Sequence, residues 1–253
     1  MNKIALISGA SAGIGYAIAE LLANNNFDLI ITGRRKERLE ILKSKLEKTT
    51  NSKVICLCFD IREKQEVFSA IETLPQEFKK IDVLVNNAGL ASGLCLIQDG
   101  DIDDWETMID TNIKGLLYLT RAVSPLMIEN KKGHIVNIGS IAGKEVYPNG
   151  NVYCATKHAV DALSKAMRID MLPYGIKVSQ VAPGLVETEF SIVRFHGDKE
   201  RADNVYKNLM PLRPDDIADA VLYVVTRPEH VCINDMLITP TAQASSTNVI
   251  RNK

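Results

Sequence analysis

Cysteine is sparse: Cys56, Cys58, Cys95, Cys154 and Cys232 are odd in number and scattered through 253 residues. No C-x-x-C pair and no histidine–cysteine cluster occurs, so neither a metal site nor a disulfide framework is expected. Reduced thiols in a cytoplasmic protein fit this usage best. An excess of one charge is missing too. The net charge is −1, which gives no long-range field for nucleic acid or an anionic membrane. No apolar run approaches the roughly 20 residues needed to span a bilayer. The apolar start at residues 4–7 is too short for a signal-peptide core and runs straight into a glycine motif. Linkers, repeats and low-complexity tracts are absent as well, so residues 1–253 are expected to form a single domain of a soluble protein.

Hydrophobic residues make up 46% of the chain and charged residues 24%, the composition of a globular protein with a sizeable core. Short β-branched runs at 3–7, 28–32, 54–59, 83–85, 134–138, 177–181 and 233–238 read as strands. Between them, 14–24, 36–48, 65–74, 105–129, 152–174 and 215–226 read as helices. Near-continuous apolar strands separated by helices predict an α/β fold, a seven-stranded parallel sheet doubly wound with helices on both faces. Any ligand then lies at the carboxyl ends of the strands. Residues 187–208 are rich in charge and carry no strand signal, and are expected to form a mobile lid over the site. Residues 245–253 read as a frayed tail or a contact arm.

Directly after the first strand stands Ser8-Gly9-Ala10-Ser11-Ala12-Gly13-Ile14-Gly15, which then opens a helix. A tight glycine turn with amide groups at a helix N-terminus suits a pyrophosphate, the arrangement of a Rossmann-type dinucleotide site. The second strand ends Ile31-Thr32-Gly33-Arg34-Arg35, without the carboxylate that would hold a free ribose 2′-hydroxyl. Asp28 sits at the wrong end of that strand. Arg34 and Arg35, in a basic cluster with Lys36 and Arg38, instead suit a 2′-phosphate, so NADP(H) is the expected cofactor. Three further turns follow predicted strands: Asp60-Ile61, a natural place to meet an adenine ring, Asn86-Asn87-Ala88-Gly89, and Pro183-Gly184. Each alone is most often a simple turn, but their shared position at strand ends favours one common ligand.

Tyr153 and Lys157 are four apart at the start of a predicted helix and share a face. Such a pair arises by chance on many helices. Ser140, at the end of the fifth strand, and the glycine turn give it meaning. Moving a hydride to or from a carbonyl requires a proton donor or base, and free tyrosine, with a pKa of about 10, is a poor base. An ammonium about 4 Å away is worth about 4 kcal/mol at an effective dielectric near 20. That is enough to lower the phenol pKa by up to about three units. Ser140 would hold the substrate oxygen.

The glycine turn, Asn86-Asn87-Ala88-Gly89, Pro183-Gly184 and Ser140 placed thirteen residues before Tyr153-x-x-x-Lys157 together resemble the short-chain dehydrogenase/reductase family over nearly the whole chain. The resemblance implies a catalytic set of Asn112, Ser140, Tyr153 and Lys157, with Asn112 holding a water in a proton relay through the lysine. It implies that the cofactor meets Gly9, Ser11, Gly13, Ile14, Gly15, Arg34, Arg35, Asp60, Ile61, Asn87, Ala88, Gly89, Tyr153, Lys157, Pro183, Gly184, Val186 and Thr188. Lys157 would also bond the nicotinamide ribose, and Thr188 the nicotinamide amide. It further implies a homotetramer, with helices 105–129 and 152–174 packing across a two-fold axis. Ser8 stands where threonine is commoner, but keeps the hydroxyl.

A narrower resemblance lies in Pro183-Gly184-Leu185-Val186-Glu187-Thr188-Glu189-Phe190, Val193-Arg194-Phe195, Gly197-Asp198, Asn151-Val152-Tyr153 and Pro240-Thr241-Ala242-Gln243-Ala244-Ser245. These are similar to the NADP-dependent 3-hydroxy acid dehydrogenases, which implies serine, allo-threonine or other 3-hydroxy acids, or the matching semialdehydes, as substrates. Their carboxylate calls for a cation, and Arg194 in the expected lid is the candidate, beside Ser140. Other small ketones, diketones or sugars are the alternative substrates, and a non-catalytic NADP(H)-binding protein is a third reading. That third reading calls for a damaged catalytic set, which this chain does not have.

Overall fold

In the computed structural model, residues 2–252 are described. Met1 and Lys253 lie outside them, the latter being the last residue of the expected tail. Seven parallel strands form one sheet in the order β3-β2-β1-β4-β5-β6-β7. They are β1 Lys3–Ser8, β2 Phe27–Gly33, β3 Val54–Cys58, β4 Ile81–Asn86, β5 Gly133–Ile138, β6 Ile176–Pro183 and β7 Asp235–Ile238. The expected doubly wound sheet is what the chain forms.

Alternation along β1 sorts its side chains between two cores. Ala5 and Ile7 face a layer built with Ile18 and Leu22 of α1 (Gly13–Asn24) and Val221 and Val224 of a late helix, Pro214–Val225. Ile4 and Leu6 face the opposite layer, with Leu119, Val123 and Met127 of a helix Leu116–Glu129 and with Val160 and Met167 of a helix Asn151–Met171. Burial on both faces is why the central strands read as unbroken apolar runs. Strand order reverses between β1 and β4, so a crevice opens at their carboxyl ends.

The remaining helices are α2 (Lys36–Thr49), α3 (Lys64–Glu72), α4 (Ile102–Ile109), α7 (Phe190–Arg194) and α8 (Lys199–Tyr206), so that Leu116–Glu129, Asn151–Met171 and Pro214–Val225 are α5, α6 and α9. Where one helix was expected over 105–129, α4 and α5 are joined by a π-helical stretch, Asp110–Gly115. One inserted residue barely disturbs an apolar period, so the sequence pattern hides it. The stretch brings Gly115 against Ile61, where a Cβ would meet Ile61 Cγ2 at 2.9 Å.

Of the two expectations for the carboxy-terminal residues, a frayed tail is not what forms: they dock on their own chain. Arg251 donates to the carbonyls of Lys207 (2.7 Å) and Val205 (2.9 Å), and the Asn252 amide donates to Asn208 O at 2.8 Å. A cation against the last carbonyls of α8 is a favourable helix end.

Candidate active site

The crevice is a cleft of about 500 Å³ along the carboxyl ends of the strands. Its floor is the glycine turn. Gly9 and Gly13 take φ of +67° and +55°, and a Cβ on Gly9 would come within 3.0 Å of Ala88 Cα. No side chain caps α1 and no acidic residue lies in its first turn, so its leading amides are left for a ligand. Ser8 ties this turn to the end of β4: its Oγ accepts from the amides of Asn87 and Ala88, both at 3.0 Å. The Asn87 carboxamide donates to the carbonyls of Ser8 (2.8 Å) and Gly9 (3.3 Å). Asn87 thus holds the turn in shape.

Beyond β2, Arg34, Arg35, Arg38 and Arg62 meet Asp60 and Glu189, four guanidinium groups against two carboxylates. Arg35 Nε donates to Ser11 Oγ at 3.1 Å and Arg34 stands 3.6 Å from Asp60. Burial pushes the Asp60 carboxyl up, but the paired hydrogen bonds of Arg62 outweigh it and hold it below the usual carboxylate range. Asp28 lies at the far end of β2, where it accepts from Asn2 and the Lys53 amide. A helix start without a side-chain cap at a glycine turn, with a cluster of guanidinium groups alongside, fits a dinucleotide carrying an extra phosphate.

At the opposite end, the start of α6 presents Tyr153 and Lys157, both buried. Ser140 Oγ accepts from the Ala142 amide at 3.0 Å, which leaves its own proton to donate on the Tyr153 side. Lys157 Nζ donates to Ile138 O at 3.1 Å and stands 6.0 Å from the centre of the Tyr153 ring. Burial lowers the Lys157 ammonium to about 8. Burial raises the Tyr153 phenol, and the neighbouring Tyr147 adds to this, while Ser140 and Arg194 oppose it. The expected lowering of the phenol by Lys157 is therefore corrected. Both groups are desolvated, and for the phenol burial outweighs the groups that would lower it.

The guanidinium of Arg194, at the end of α7, stands 5.7 Å from the Tyr153 ring centre and 5.4 Å from that of Tyr147. Its Nε donates to Gly93 O at 3.3 Å, while its Nη2 is buried without a partner. An unpaired guanidinium nitrogen over the phenol is a place for an anion.

Every residue named from the sequence for catalysis, cofactor or substrate lines this cleft except Gly15 and Asn112. Gly15 lies behind the turn, where a Cβ would meet Gly9 O at 2.5 Å. Asn112, in the π-helical stretch, spends its carboxamide on the loop after β4. It donates to Leu90 O (2.8 Å) and Thr156 Oγ1 (3.0 Å) and accepts from the Leu90 amide (2.9 Å). Both its N–H groups are used. Sequence reasoning missed Tyr147, Phe190 and Glu189 as cleft residues, because they lie in loops or at a helix start with no periodic signal. Among the described residues, no group of His, Cys, Asp or Glu side chains is arranged to hold a metal, and no helix is long and apolar enough to cross a membrane.

The family described as short chain dehydrogenase matches residues 3–198. The chain belongs to that family. It is similar to an NADP-dependent 3-hydroxy acid dehydrogenase of Schizosaccharomyces pombe, 46% identical over 100% of this chain and 98% of that one. It is also similar to sulfoacetaldehyde reductase 2 of Chromohalobacter salexigens, 44% identical over 97% of each chain. Among solved structures, the closed form of serine dehydrogenase complexed with NADP+ superposes with a TM-score of 0.92 at 43% identity, covering 99% of this chain and 100% of that one.

Proposed function

We propose that the protein is an NADP(H)-dependent oxidoreductase that interconverts the hydroxyl and carbonyl of a small 3-hydroxy acid, of the serine, allo-threonine or 3-hydroxypropionate type. The observation that carries the substrate class is the buried, unpartnered Nη2 of Arg194 above the phenol. A carboxylate two carbons from the reacting hydroxyl would pair with it while that hydroxyl meets Tyr153 and Ser140. The relatives named for 3-hydroxy acids and serine support this reading.

Bound NADP(H) supplies or accepts the hydride. Gly9, Ser11, Gly13 and Ile14 would hold its pyrophosphate, Arg34 and Arg35 its 2′-phosphate, and Asp60 and Ile61 its adenine. Asn87, Ala88, Gly89, Pro183, Gly184, Val186 and Thr188 would shape the rest of its bed, and Gly15 lets the turn pack. Ser140 donates its proton to the substrate oxygen. In reduction Tyr153 gives its phenol proton to the developing alkoxide and is left as the phenolate, which solvent reprotonates; in oxidation the same step runs backwards, the phenolate form taking the proton of the alcohol. Lys157 has two N–H donors left after its bond to Ile138, and these would hold the cofactor ribose. Asn112 fixes the loop at Leu90 and would hold a water in the proton relay through Lys157.

The whole chain acts as one domain, with residues 187–208 as its lid. The cytoplasm is the proposed compartment, supported by five free thiols. A homotetramer is supported by exposed Ile109, Leu117, Ile169 and Leu172 along the helices that would meet; a monomeric mass in solution would refute it. A second reading, a reductase of small anionic aldehydes, is favoured by the sulfoacetaldehyde relative, since a guanidinium also pairs with sulfonate.

Arg194→Met is the test. Losing a charge-assisted contact of about 1.5–3 kcal/mol raises the KM for 3-hydroxy acids about ten- to a hundredfold. An unchanged KM would remove Arg194 from the site.

A further inference from the structure

The five residues of α7, Phe190–Arg194, span the cleft from its cofactor end to its substrate end. A helix this short does not hold itself. Its leading residue, Glu189, makes no side-chain capping bond to it; Ile192 is 40% exposed, and Val193, 47% exposed, lines the cleft. The Thr188 hydroxyl accepts from the Phe190 amide at 3.1 Å and the buried Ser191 hydroxyl bonds that of Tyr206 at 2.8 Å; two further ties lie at the helix ends. At the start, the Glu189 carboxylate accepts from Arg35 Nη1 at 2.8 Å and from Arg38 Nη1 at 2.8 and 3.0 Å. At the end, the Gly93 amide donates to Arg194 O at 2.9 Å and Arg194 Nε donates back to Gly93 O. Between them, Phe190 packs edge-on against Tyr153, with ring centres 5.6 Å apart.

We infer that Glu189 is a positioning residue for substrate: its bridge to Arg35 and Arg38 seats α7 and so sets the Arg194 guanidinium over the Tyr153 phenol. The inference rests on the reading that Arg194 takes the substrate's anionic group. Glu189 itself touches no reacting atom. Its carboxylate pairs with Arg35 and Arg38 alone among the described side chains. Both pairs are half-exposed, and such pairs add little to overall stability. Their effect is expected in where Arg194 sits. The anchor is shared with the arginine assigned to the cofactor's 2′-phosphate, so the cofactor end and the substrate end of the cleft are mechanically joined.

Glu189→Gln, Arg38→Met, Arg194→Met and the double variant Glu189→Gln/Arg194→Met test this, with steady-state oxidation of 3-hydroxypropionate by NADP⁺ and hydrogen exchange of the free protein. Glu189→Gln and Arg38→Met are each expected to raise KM about tenfold with kcat within about twofold, because small misplacement weakens a directional contact. The double variant is expected to match Arg194→Met alone, and amides of α7 to exchange faster in Glu189→Gln. An unchanged KM in Glu189→Gln where Arg194→Met raises it, or penalties that multiply in the double variant, would overturn the inference. If Arg194→Met itself leaves KM unchanged, or no 3-hydroxy acid is turned over, the substrate reading fails instead. Exchange needs no substrate, and unchanged exchange in α7 overturns the positioning role by itself.

Discussion

Arg35 Nε donates to the Ser11 hydroxyl at 3.1 Å, joining the basic end of β2 to the glycine turn across 24 residues of sequence. This bond holds the guanidinium where a 2′-phosphate beside the turn would meet it. It also separates Arg35 from a solvated surface arginine.

Arg35→Ser is expected to cost a charge-assisted contact of about 1.5–3 kcal/mol, weakening NADPH about ten- to a hundredfold. NADH, which lacks the phosphate, is expected to change little. Fluorescence titration of the two reduced cofactors checks this, and an equal loss for both would contradict the phosphate assignment.

Tyr153→Phe keeps the ring's packing against Phe190 and removes only the hydroxyl. It is expected to lower kcat by about 10²–10⁴, the range of a lost acid–base group, with NADPH affinity nearly unchanged. A kcat near that of the parent protein would exclude Tyr153 as the proton donor.

Lys157 is buried, with its ammonium lowered from 10.5 to about 8. A base whose folded pKa is depressed costs the native state most where it must carry its proton. That cost is full below pH 8, shrinks as pH rises from 8 to 10.5, and is gone above. Lys157→Met is therefore expected to be inactive yet more stable than the parent at pH 7, by up to about 3 kcal/mol. Chemical denaturation across this pH range checks the sign: the gain must fade towards high pH, and a gain that grows with pH would contradict it.

The sheet was legible in the sequence because central strands such as Ile135–Ile138 are buried on both faces and read as β-branched runs. The glycine turn and the absence of a carboxylate after β2 are local features and equally readable. What the pattern could not carry was contact at a distance. The π-helical stretch at Asn112 serves Leu90 and Thr156, far away in sequence. Arg251 finds carbonyls 44 and 46 residues earlier. Tyr147 and Phe190 join Tyr153 only through the folded loops around it. The phenol's pKa went astray for a related reason. Helical spacing places Tyr153 and Lys157 on one face, but says nothing of how deeply both are buried.

The most direct measurement is initial rates with 3-hydroxypropionate, L-serine and L-allo-threonine against neutral alcohols of similar size, each with NADP⁺ and with NAD⁺, followed by the absorbance of reduced nicotinamide. Turnover of 3-hydroxy acids with NADP⁺, well above that of neutral alcohols and of NAD⁺, is the predicted result. No turnover of any 3-hydroxy acid, or a preference for neutral alcohols or for NAD⁺, would contradict it.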